Sequence, residues 1–83
     1  MYQRKVGVTS TPQSIQDITN KDYAGTVVLQ APEDNVENVY YGTKDRQLVF
    51  IVPGGSITLP ATGLHSLYVT GTAGDYVTVA LIG

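Results

Sequence analysis

The sequence predicts an all-β fold, and three observations support that prediction. Residues that favour strands, above all valine, threonine, isoleucine and tyrosine, dominate the chain. Clusters of turn residues recur at roughly the 8–12-residue spacing of sandwiches and barrels, and no window keeps the apolar spacing of a helix for three turns. We expect one domain over residues 1–83. It should be a small, jelly-roll-like β-sandwich, or a partly open barrel, of about seven to eight short antiparallel strands.

The predicted strands follow one another along the whole chain. They lie at roughly 2–9, 14–18, 24–30, 36–42, 47–52, 55–60, 65–71 and 76–82. Residues 1–20 are less decisive, because the alternation over Tyr2–Thr9 suits either an edge strand or an N-terminal arm. An arm carrying Arg4 and Lys5 would be able to reach a neighbouring subunit or another protein surface.

The strands in the second half of the chain have the clearest patterns. In Gln47–Val52, residues 48, 50 and 52 share one face, and Val49 and Ile51 share the other. Pro53-Gly54-Gly55 turns the chain, and Pro60 ends the next strand. Leu67 and Val69 point to one face of the following strand, and Gly74 supplies a positive φ in the hairpin before the last one.

Two strands carry apolar residues on both faces, which indicates that a second surface covers them. The candidate subunit contacts are Val49 with Ile51, and Ala80 with Ile82. The alternative is a tightly closed sandwich whose edges curl over these residues.

Composition favours self-association and excludes several functions. The chain has 83 residues, no cysteine and a single histidine, so a disulfide or a thiolate metal site cannot supplement its small core. Oligomerisation is the remaining compensation. A net charge of −2, with five lysines and arginines, is a poor match for nucleic acid. We therefore expect no nucleic-acid partner. No signal-peptide-like or membrane-spanning apolar run is present, so we expect no membrane partner either.

Catalytic and metal-binding patterns are weak, and we expect no enzyme and no cofactor. His65 and Ser66 are sequence neighbours, and on a strand their side chains would point to opposite faces. Glu33, Asp34 and Glu37 form the one acidic cluster, in a loop where carboxylates are normally solvated. With Asn35 they lack the spacing and the glycine of a calcium loop.

Tyrosines provide the main alternative to a structural role. Tyr40 and Tyr41 are adjacent on a strand, so one faces inward and one outward. An exposed groove lined by Tyr23, Tyr41 or Tyr68 would indicate a site for carbohydrate or a receptor. Core-rim or interface positions for these tyrosines are the favoured interpretation.

Residues 36–82 resemble small β-sandwich modules of tailed-bacteriophage virions. The resemblance rests on three segments: Val39-Tyr40-Tyr41-Gly42, Pro53-Gly54-Gly55-Ser56-Ile57-Thr58-Leu59-Pro60, and Leu67-Tyr68-Val69-Thr70-Gly71-Thr72-Ala73-Gly74-Asp75-Tyr76-Val77. It implies a capsid cement or decoration protein, made in the host cytoplasm and placed on the outer capsid surface. It also implies a homotrimer bound to the lattice of the major capsid protein. A tail or fibre module that binds a carbohydrate or a receptor is the alternative.

Overall fold

Two four-stranded antiparallel sheets form the domain in the computed structural model, which describes residues 2–20, 25–61 and 63–82. The eight strands within these residues are β1 Tyr2–Gly7, β2 Gln13–Ser14, β3 Gly25–Gln30, β4 Val39–Gly42, β5 Val49–Ile51, β6 Ser56–Ala61, β7 Tyr68–Thr70 and β8 Tyr76–Ile82. The predicted all-β class is therefore confirmed, as a sandwich of two sheets.

The order of the strands is that of a jelly roll. One sheet runs β1-β8-β3-β6 and the other β2-β7-β4-β5, so the chain crosses repeatedly between the two layers. The strands β1 and β6 are the edges of the first sheet, and β2 and β5 are the edges of the second. Within the segment predicted as an edge strand or an arm, Tyr2–Gly7 is the edge strand β1, and β1 pairs with β8 along its whole length.

Period-two alternation builds the core between the sheets. Val27 and Leu29 of β3 are fully buried, and each pairs across the sheet with an apolar residue of β8. The core comprises Val6, Val8, Ile15, Val27, Leu29, Ala31, Val39, Tyr41, Ile51, Leu64, Leu67, Val69, Val77, Val79 and Leu81. Fully burying one such aliphatic side chain stabilises the fold by about 1.5–3 kcal/mol.

The predicted strand over residues 14–18 is wrong, because the segment forms the short helix α1, Ile15–Thr19. The Ser14 side chain caps the helix by accepting a hydrogen bond from the Asp17 amide, at 3.1 Å. Asn20 ends it in the left-handed conformation, with φ of 55°. The helix buries Ile15 completely.

Two other strands begin later than predicted. The strand predicted to start at residue 65 begins at Tyr68, after the 3₁₀ turn Leu64–Ser66. The strand predicted to start at residue 36 begins at Val39, because the amides of residues 36 and 37 bond to Asp75 instead. The predicted hairpin geometry at Gly74 is confirmed, with φ of +99°.

Candidate interaction surface

Large apolar side chains are concentrated on the surface along β5. Leu48 is 73% exposed, Phe50 53% and Val52 51%, and Tyr40 of β4 is 38% exposed beside them. We call these four residues the β5 patch. Single exposed apolar residues are ordinary on protein surfaces, whereas a contiguous group indicates a contact site.

The patch follows from the register of β4 and β5. Tyr40 lies directly opposite Phe50. The centroids of the two rings are 5.9 Å apart, and the ring planes meet at an angle of 55°. The flanking pair, Val39 and Ile51, is buried. Alternation therefore sends Tyr40 and Phe50 to the outer face of the sheet, and Leu48 and Val52 share the parity of Phe50.

The turn between β4 and β5 is held by side-chain hydrogen bonds. The Gln47 side-chain amide donates to the carbonyl oxygens of Thr43 and Lys44, and the Arg46 amide donates to Thr43 at 3.3 Å. The turn exposes Lys44, Asp45 and Arg46 just before β5 begins. Its two cations outnumber its one carboxylate, so this end of the patch has a net positive charge.

A pair of polar side chains fixes the loop at the other side of the patch. The Asp75 carboxylate accepts hydrogen bonds from the amides of Val36 and Glu37, both at 2.9 Å. The Asn35 side chain donates to the Tyr76 carbonyl at 2.7 Å and accepts from the Tyr76 amide at 2.9 Å. This Asn35–Asp75 clamp joins the loop before β4 to the start of β8.

The clamp determines the shape of the surface next to Tyr40. Asp75 is only 4% exposed, so the carboxylate end of both hydrogen bonds is shielded from water. The loop that it holds contributes Val36, Glu37 and Asn38 to a shallow groove, which Tyr40 and Thr70 also line. The groove is continuous with the patch through Tyr40.

Val49 and Ile51, the first predicted pair of subunit contacts, do not form a common exposed surface. Ile51 is buried in the domain's own core, so it cannot form an outer contact surface together with the half-exposed Val49. The face that points outward from β5 is the opposite one, which carries Phe50.

The second predicted pair does lie on one surface. Ala80 and Ile82 line a groove on the outer face of the other sheet, together with Val28 and Gln30. This face is more polar than the β5 patch, since Gln3 and Thr78 share it.

The N-terminal cations lie on the exposed edge strand β1. Arg4 and Lys5 are both exposed, and the Lys5 ammonium stands 4.6 Å from the centre of the Tyr76 ring. No unpaired arm carries them, because Arg4 and Lys5 pair with Val79 and Thr78 of β8.

The three tyrosines predicted as ligand-facing do not form a common groove among the described residues. Tyr41 is a core residue, and it borders a cleft with Gly42 and Leu59. Tyr68 is half-buried, and Tyr23 lies outside the described residues. The prediction that one of Tyr40 and Tyr41 faces inward and one outward is confirmed, with Tyr40 on the outside.

Few groups suited to catalysis or metal binding come together in residues 2–20, 25–61 and 63–82. No three His, Asp or Glu side chains there gather closely enough to hold a metal ion. His65 is exposed on the 3₁₀ turn, and the Ser66 hydroxyl donates to the Gly63 carbonyl at 3.0 Å. The prediction that these loop side chains are solvated holds for Asp34 and Glu37, which are exposed. It is wrong for Asn35, whose side chain is buried in the clamp.

Sequence reasoning missed the clamp and assigned the wrong face of β5 to the surface. Asp75 follows a Gly-containing turn, where an aspartate side chain normally bonds to backbone close by in the chain. Its partners are 38 and 39 residues away, and no local pattern announces such a pairing.

Comparison with protein-family models, with curated proteins and with solved structures finds no match for this chain. In the part of the chain that the structure describes, no helix is long and apolar enough to cross a membrane.

Proposed function

We propose that this protein is a non-enzymatic structural subunit that joins other proteins through the β5 patch. The most specific form of the proposal is a cement or decoration protein on the outer surface of a tailed-phage head. The exposed apolar patch on the edge of a jelly roll is the observation that carries it.

The energetics of the patch favour a protein partner. Leu48, Phe50 and Val52 each keep at least half of their surface in water. Full burial of such a side chain stabilises by about 1.5–3 kcal/mol, so covering all three would contribute several kcal/mol to an association. Charged residues are absent from Gln47–Val52, and the core of a protein interface has the same character.

The resemblance to phage virion modules supplies the identity of the partners. The proposed partners are further copies of this chain and the lattice of the major capsid protein, and neither nucleic acid nor a membrane is among them. A symmetric oligomer places several weak contacts over several coat subunits. Effective concentration then raises the overall avidity by roughly 10²–10⁴. The protein would be made in the host cytoplasm and act on the virion.

Sedimentation with phage heads tests this proposal. We expect the protein to co-sediment with expanded capsids and to bind dispersed coat subunits at least 100-fold more weakly, since avidity needs an ordered lattice. Phe50→Asp should abolish capsid binding. Ile82→Asp, which changes an exposed residue of the other sheet, is the matched control and should bind normally.

Two results would contradict the proposal. Equal affinity for dispersed coat protein and finished capsids would remove the lattice mechanism. Loss of binding in Ile82→Asp, with Phe50→Asp unaffected, would move the contact to the outer face of the first sheet.

A carbohydrate- or receptor-binding module of a phage tail or fibre is the second candidate. The tilted pair of Tyr40 and Phe50 rings lies beside a groove that Glu37, Asn38 and Thr70 line with hydrogen-bonding groups. Aromatic rings next to polar groups suit sugars. Binding on a glycan array without any capsid binding would favour this candidate.

A further inference from the structure

We propose that β5 pairs with β5 of a second copy, antiparallel about a two-fold axis at Phe50. The two copies of the second sheet would join into one continuous eight-stranded sheet. This inference rests on the self-association in the proposed function and specifies its contact, its direction and its register.

The first argument is that β5 is the least protected of the four edge strands among the described residues. Exposed edges are normally blocked by charges, by proline or by shortness. Strand β1 carries Arg4 and Lys5, and β6 contains Pro60, which has no amide to donate. Strand β2 has two residues and continues directly into α1.

Strand β5 lacks all of these protections except shortness. It pairs with β4 on one side, and none of the described residues pairs with its other side. The apolar run extends beyond the three ladder residues to Leu48 and Val52, so pairing would cover side chains as well as satisfy backbone groups.

The second argument is the distribution of charge along this edge. Lys44, Asp45 and Arg46 precede β5 in the turn from β4, so this turn has two cations and one carboxylate and a net positive charge. At the other end, Glu33 packs over the turn that follows β5: a Cβ added to Gly54 would lie 3.3 Å from the Glu33 Cγ. Asp34 is the next residue. One end of the edge is therefore basic and the other acidic, which favours antiparallel over parallel pairing.

The third argument is the register. The apolar run is centred on Phe50, so an axis at Phe50 places Leu48 opposite Val52 of the partner subunit. Beyond the ladder the chain turns at both ends of β5. The same axis therefore brings the turn that contains Arg46 near the partner's Gly54, and near the partner's Glu33 that packs over that turn. A two-fold axis makes each of these contacts twice, as in an isologous dimer.

Analytical ultracentrifugation of the full chain, without capsids, tests the pairing. We expect a dimer at micromolar concentration. Phe50→Asp should raise the dissociation constant by at least about 100-fold, since it places two carboxylates together on the axis. Far-ultraviolet circular dichroism should match the unaltered protein, because Phe50 is half-exposed. Ile82→Asp is the control and should remain a dimer.

Charge reversal tests the register independently of the apolar contact. Arg46→Glu and Glu33→Arg should each weaken the dimer by roughly 10-fold, since each disturbs two symmetric ion pairs. The double variant, with both charges reversed, should recover most of the lost affinity.

Three outcomes would overturn the inference. They are a monomer at all concentrations, a dimer that Phe50→Asp does not weaken, and a double-reversal variant that dimerises more weakly than either single variant. A trimer, as the phage resemblance implies, would also overturn two-fold pairing and would leave the proposed function intact. A normal dimer that fails to bind capsids would instead refute the virion role and leave the pairing intact.

Discussion

Replacing Asp75 by alanine is expected to destabilise the domain by about 3–4 kcal/mol. The change removes two hydrogen bonds to a charged acceptor and leaves the amides of Val36 and Glu37 without partners. A hydrogen bond to a charged group contributes about 1.5–3 kcal/mol, and the two share one side chain. Small domains have a total stability of roughly 5–15 kcal/mol, so much of the margin would be lost.

Urea unfolding followed by circular dichroism measures this effect. Asp45→Ala is the matched control, because that carboxylate is exposed in the turn between β4 and β5 and should change stability by less than about 0.5 kcal/mol. If Asp75→Ala were as mild as its control, the clamp would not be a major stabilising contact.

Replacing Gly42 by alanine is expected to cost about 1–3 kcal/mol or more, the usual range for overpacking. A Cβ at this position would collide with the carbonyl oxygen of Arg46 and lie 3.1 Å from the Cα of Gln47. Both obstacles are backbone, so the turn before β5 would have to move. Its displacement would also disturb the edge strand that carries the patch.

Gly7→Ala provides the comparison for the same chemical change. An added Cβ there meets its nearest atoms at 3.9 and 4.0 Å, which is ordinary contact. Thermal unfolding should show a clear loss of melting temperature for Gly42→Ala and almost none for Gly7→Ala. Equal melting temperatures would show that the turn adapts without cost.

The sheet architecture was predictable because strand periodicity is a local property. Successive side chains of a strand point to opposite faces, so Val27 and Leu29 point into the core and their sequence neighbours do not. The same alternation places Val77, Val79 and Leu81 in the core. The turn at Gly74 was predictable for a similar reason, since its conformation suits glycine within the hairpin itself.

Helix α1 was missed because its signals are short. Five residues are too few to show helical periodicity, and the β-branched Ile15, Ile18 and Thr19 are residue types that favour strands. The decisive feature is the cap at Ser14, whose side chain bonds to Asp17 three residues later. A serine followed after three residues by an acidic residue is a recognisable signal for a helix start.

The candidate surface could be predicted in part only. Periodicity assigned Leu48, Phe50 and Val52 to one face of a strand, and that grouping is right. It does not decide which face looks inward, because both faces are apolar. The register decides it, by pairing Ile51 with the buried Val39. Such pairing joins residues distant in sequence, and the Asn35–Asp75 clamp was missed for the same reason.

Amide hydrogen exchange, compared at protein concentrations below and above the midpoint of association, tests most directly whether another protein covers the β5 patch. The account predicts that exchange slows at least about 10-fold in residues 48–52 when the protein associates, because a partner covers a previously open edge. Residues 2–7 of the charged edge strand β1 should exchange at an unchanged rate. Association that protects β1 or β6 and leaves residues 48–52 unchanged would contradict the account.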